Sequence, residues 1–221
     1  SAELAYQAGR ADLLRAMHRD AARGVEPCGY SGHRLRTPGG TVSLVAARPC
    51  ATGGSDFAFA DMIARRYDVH SLADSAARLC ALVDESPDES LLFLAHNGPF
   101  GLGGTPSDPW HRDFDVEDDE SIPRDWGDND LTAAIAHARS RGKRVLGVIG
   151  GHMHRRPQRG TRPFSIEREG VLYVNAACVP RIVLGEDVER HHYVELELDP
   201  TFLRASEHWI ELSESPTSSR R

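Results

Sequence analysis

Two short, uninterrupted apolar runs, Leu91-Leu-Phe-Leu-Ala95 and Val145-Leu-Gly-Val-Ile149, constrain this chain more than any other feature. A strand that is apolar at every position has both faces buried, as in the interior of a parallel sheet. Between the two runs the pattern predicts a helix from about Asp130 to Arg141, with Asp128 or Asn129 capping its start and Gly142 closing its end. Strand, helix and strand in this order form a βαβ unit, so the two strands are expected to be parallel and in one sheet, their carboxyl ends on a shared edge. The first run stops at His96-Asn-Gly-Pro99 and the second at Gly150-Gly-His152-Met-His154.

The remainder of the 221 residues reads as one α/β domain over 1–212, with a frayed tail at 213–221. Leu4, Leu13, Leu14 and Met17 suggest amphipathic turns at the start. A Gly/Pro-rich patch, Pro27 to Gly40, leads into a strand at Thr41–Ala47, which ends at Arg48-Pro49 and the Gly53-Gly54 turn. Helical patterns follow at about 56–67 and 71–84, the second opened by Ser71 as N-cap. Gly98 to Trp126 forms a long loop rich in Gly, Pro and acidic residues, of the kind that borders functional sites. Strands are predicted at Val171–Val179, Tyr193–Leu198 and Glu207–Leu212.

With 26 Lys plus Arg against 33 Asp plus Glu the net charge is −7, and no basic stripe is present. A nucleic-acid partner is therefore not expected, whereas a small phosphorylated substrate is compatible if bound cations supply the local charge. The cysteines at 28, 50, 80 and 178 form no CxxC pair, which reads as reduced thiols in a cytoplasm. No apolar run approaches the ~20 residues that span a bilayer.

The chemistry concentrates at the strand ends. Ligands of open α/β sheets gather at the carboxyl ends of the strands, so His96, His152 and His154 are expected to converge on one crevice. Residues two apart on an extended segment face the same way, and Gly150 and Gly151 let the backbone turn. Neutral imidazole is the commonest protein ligand for zinc, manganese or iron, which makes a metal the economical reading. Each histidine taken singly is more ordinary as a polar, hydrogen-bonded residue. Arg48 could meet phosphate or form an ion pair, and Asp128 could cap the helix or line the site. Trp110-His111 could close over substrate or sit in a solvated loop, and Arg155 or Arg156 could reach an oxyanion. His191-His192 reads as a polar pair on an edge strand, and His137 as a surface residue.

These blocks resemble those of the calcineurin-like metallophosphoesterases, whose order is Asp-x-His, Gly-Asp, Gly-Asn-His-Asp/Glu, a strand-end His, and Gly-His-x-His. Leu94-Ala-His96-Asn-Gly-Pro99 matches the fourth block and Gly151-His152-Met-His154 the fifth. Arg48-Pro49 with Gly53-Gly54, Gly127-Asp128-Asn-Asp130-Leu131, and Asn175-Ala-Ala…Val179-Pro-Arg181 add to the likeness, which covers roughly residues 40–200.

The resemblance implies two packed mixed β-sheets flanked by helices. It also implies a site for two divalent ions (Mn, Fe or Zn) that acidify a bridging water for attack on a phosphoester, as in a phosphatase or phosphodiesterase. Carried over residue by residue, it makes His96 and His152 ligands of one ion and His154 a ligand of the other, with Asn97, Arg48 and Asp128 beside the substrate. The first three blocks of the family are absent from this sequence. The chain is therefore expected to be a fragment, poorly active alone, that associates through apolar edges with the missing segment or with another copy. A non-catalytic binding or scaffold domain is the alternative.

Overall fold

The computed structural model describes residues 28–112, 124–156, 162–184 and 188–213. The expected turns of residues 1–20, residues 113–123 of the long loop, and residues 214–221 of the tail lie outside them. In chain order the elements are β1 (Ser31–Thr37), β2 (Gly40–Ala46), α1 (Ala60–Tyr67), α2 (Leu72–Glu85), β3 (Ser90–Leu94), α3 (Asn129–Ser140) and β4 (Arg144–Gly150). There follow β5 (Ser165–Arg168), β6 (Val171–Asn175), β7 (Ile182–Leu184), β8 (Val188–Asp199) and β9 (Phe202–Ser213).

The protein is a mixed α/β fold. One sheet has the order β1-β2-β3-β4-β6-β5; its four inner strands are parallel and its two outer strands antiparallel. The second sheet, β7-β8-β9, is antiparallel throughout, which corrects the expectation of two mixed sheets. The cause is local: Pro200 and Thr201 turn β8 directly back into β9, and such a hairpin pairs only antiparallel.

The fully apolar runs explain the layering. On one face of the large sheet Val45, Leu91, Phe93, Val145 and Val148 pack against Ile63 of α1, Leu79 and Val83 of α2, and Leu131 and Ile135 of α3. On the other face Val42, Leu92 and Leu146 meet Leu198 and Leu203 from the β8–β9 end. Burial of each such side chain stabilises the fold by roughly 1.5–3 kcal/mol. The helices thus cover one face of the large sheet and the antiparallel sheet lies on the other, instead of helices flanking both sheets. Among the described residues no helix is long and apolar enough to cross a membrane.

Ser71 caps α2 as expected, its hydroxyl accepting from the Asp74 amide at 3.0 Å. Gly142 closes α3 with φ 71°. Asp128 occupies the cap position of α3, but its side chain makes no cap bond, because Arg48 holds the carboxylate. β1 has no counterpart among the expected strands: Ser-Gly-His-Arg-Leu-Arg-Thr offers one large apolar residue, and its place at the sheet edge demands little more. Asp88 ties this edge down, accepting from Arg34, Thr41 and Ser43. β6 stops at Asn175, short of the expected Val179, because the Asn175 carbonyl oxygen of the side chain accepts from Ala177 N and turns the backbone. Exposed apolar side chains gather on the antiparallel sheet, with Leu184 76% and Leu212 46% exposed.

Candidate metal centre

Because β2, β3, β4 and β6 run parallel, the loops after all four emerge on one edge of the sheet. Arg48 follows β2, His96 follows β3, His152 and His154 follow β4, and Ala176 to Cys178 follow β6.

The rings of His96 and His152 lie 5.1 Å apart between centroids, tilted by 48°. His96 and His154 are exposed and His152 is half-buried. The segment carrying the pair is a bend rather than an extended strand end. His152 itself adopts a left-handed conformation, φ 62°, which histidine tolerates better than most residues. Met153 turns into the core at 3% exposure, leaving the two histidines outside. Gly150 is required for space and not for turning: a Cβ there would stand 3.2 Å from the Asn97 backbone and from the Trp110 ring.

Both rings are held in the neutral form that can bind a cation. Burial against the surrounding loops, then the neighbouring His152 and Arg48, pushes the His96 pKa down. Burial and His154 push His152 down as well, opposed by a hydrogen bond from its ring to the Thr52 carbonyl.

Several buried groups hold this edge in place. Trp110 is fully buried, not solvated, and its indole donates to the Gly151 carbonyl at 3.1 Å. Asn175 donates to the Met153 carbonyl at 2.7 Å and to Pro109 at 2.9 Å. The likeness marks the Asn175 block but not the role of this side chain, which works through contacts distant in sequence.

The candidates expected to touch substrate lie elsewhere. Arg48 is 2% exposed, donating to Asp130 at 2.8 Å and to Asp128 at 2.9 Å, so it forms the ion pair and does not reach the surface. Asn97 is fully buried and donates to the Trp126 carbonyl. Asp128 is 2% exposed and accepts from Arg48, so it faces inward. These three brace the site from within, because the polar cluster at the start of α3 needs them as partners. Arg155 pairs with Glu207 and is equally unavailable to an oxyanion, while Arg156 is exposed. His192 lies on the central strand of its sheet, not on an edge, and is 5% exposed. His137 pairs with Asp84 on the surface.

The edge offers the two adjacent imidazoles of His96 and His152 to one divalent ion of the zinc, manganese or iron type, while the donor atoms of all three histidines do not come within 4.8 Å of one another, which corrects the expected convergence of His154 with the other two. It does not suit a dinuclear pair. The only trio of ligating groups among the described residues with donor atoms all within 4.8 Å is Cys178, His192 and Glu207, so no described carboxylate completes such a set with these histidines. No protein-family model matches the chain, and neither the curated proteins nor the solved structures contain a match.

Proposed function

We propose that the chain is a metal-dependent phosphoester hydrolase of the calcineurin-like kind, with His96, His152 and His154 forming its cation-binding edge. The observation that carries this reading is the 5.1 Å approach of the His96 and His152 rings at the ends of adjacent parallel strands. A divalent ion held there would supply the positive charge that draws phosphoryl oxygens and acidifies water, charge that a chain of net −7 otherwise lacks.

The chain's own groups prepare the edge. Burial, then the neighbouring His152 and Arg48, favours the uncharged form of His96, and burial with His154 favours that of His152. His154 stands exposed on the same loop as His152, where a phosphoryl oxygen would approach. A second ion needs oxygen ligands beyond those the described residues bring, so the described residues by themselves do not complete a dinuclear site. That same lack of a carboxylate favours the second reading, a binding domain that takes up a cation and a phosphorylated ligand without cleaving it.

Manganese binding and hydrolysis of an aryl phosphate by the wild-type chain, His96→Ala and His152→Ala test both readings. Binding lost in both variants, with wild-type hydrolysis that depends on manganese, supports the hydrolase. Binding without turnover supports the binding domain, and undiminished binding in both variants removes the site.

A further inference from the structure

Away from the three histidines, the loop after β6 meets the middle of β8 and β9. Cys178, His192 and Glu207 bring one ligating atom each to within 4.8 Å of the others. Cys178 is fully buried, His192 is 5% exposed, and the Glu207 side chain is 25% exposed. We propose that these residues form a second cation site, for a zinc-type ion, which fastens the antiparallel sheet to the carboxyl edge of the large one.

The donor chemistry is that of zinc. Thiolate, imidazole and carboxylate together are a recurrent ligand set for this ion, and the soft sulfur selects against magnesium and calcium. The thiol has no strong competing partner, since its one hydrogen bond is a 3.9 Å contact with the Pro180 carbonyl. His192 Nε2 lies 2.8 Å from Glu207 Oε1, so both ligating atoms already face one volume; coordination breaks this hydrogen bond, with the imidazole proton moving to Nδ1.

Arg155 also faces this cluster, paired with Glu207 Oε1 while its own Nε is buried without a partner. Burial raises the Cys178 thiol's pKa, and Arg155 and Arg181 act to lower it. Arg155 can remain on the carboxylate as an outer-shell partner, as ligating carboxylates commonly have, but its charge opposes the ion. Removal of that charge should therefore tighten binding. Coordination replaces the Cys178 S–H by a sulfur–metal bond and releases one proton to solvent.

Cobalt titration of the 221-residue chain reads this site separately from the histidine edge, because only a cysteine gives a thiolate-to-cobalt charge-transfer band. The band should appear in the wild type, vanish in Cys178→Ser, persist in His152→Ala, and form at several-fold lower cobalt in Arg155→Gln. Zinc should raise the thermal midpoint of the wild type by more than that of Glu207→Gln. Absence of the band in the wild type at excess cobalt, which depends on no variant folding, overturns the proposal. So does a band undiminished in Cys178→Ser, which would move the thiolate to another cysteine.

Discussion

Arg48 Nε lies 2.8 Å from Asp130 Oδ2, and both side chains are 1% exposed. This pair joins the loop after β2 to the first turn of α3. Arg48 Nη2 serves Asp128 as well, while Ser75 donates to Asp130 from α2. One guanidinium therefore faces two buried carboxyl groups, the cap position and the first turn of α3.

Arg48→Leu should be among the most damaging substitutions in the protein. Loss of one partner from a buried charge pair leaves the other charge uncompensated, at a cost of about 3–5 kcal/mol. Arg48→Lys restores the charge but not the fork that reaches both aspartates, so its stability should fall between the two. Urea unfolding midpoints decide the matter. Equal midpoints for Arg48→Leu and the wild type would show that the cluster contributes nothing.

Asp128 gives the same cluster a pH signature. Burial pushes its carboxyl up to about 7, against the attraction of Arg48. In the unfolded chain the group titrates near the ordinary value of about 3.9. Between those values the native state binds more protons than the unfolded state, so this group's contribution to stability declines as pH rises through the window. Asp128→Asn cannot take up that proton. Its stability should descend less from about pH 4 to pH 7 than the wild type's, a difference visible in denaturant midpoints across the range. Parallel curves would remove the assignment.

The legible part of this fold is the part with its own local pattern. Leu91–Ala95, Val145–Ile149 and the helix between them were readable because a strand buried on both faces is apolar at every position. The same pattern puts His96 and His152 after adjacent parallel strands, on one edge of the sheet. β1 was hidden because an edge strand needs few apolar residues, and Asp88, which anchors it, sits 54 residues from Arg34. The burial of Arg48, Asn97 and Asp128 was equally illegible. Side chains that face solvent and side chains that face one another are the same residue types, and only the fold decides between them.

Asp88 predicts the opposite pH behaviour from Asp128. Hydrogen bonds from Arg34, then from Thr41 and Ser43, hold its carboxyl well below the usual range. A depressed folded value contributes stability above the unfolded pKa and loses it as pH falls toward the folded one. Asp88→Asn should thus be less stable than the wild type at neutral pH, and the gap should close as pH falls from about 5 to 2. A gap that stays constant would mean that packing, not charge, makes the difference.

Trp110 offers the sharpest test of how the candidate site is held. Its ring fills the space beneath both histidine loops, so a Cβ at Gly98 would lie 2.1 Å from it, closer than atoms pack. Trp110→Ala should cost about 3–5 kcal/mol through the cavity it leaves, whereas Trp110→Phe keeps most of the bulk and loses chiefly the bond to Gly151, about 1 kcal/mol. Gly98→Ala should be strongly destabilising for a different reason, the clash with the indole. The two effects share one volume, so the Gly98→Ala, Trp110→Ala double variant should be much less destabilised than the sum of the singles. Four unfolding curves measure this coupling. Simple additivity would show that the indole does not set the spacing between the His96 and His152 loops.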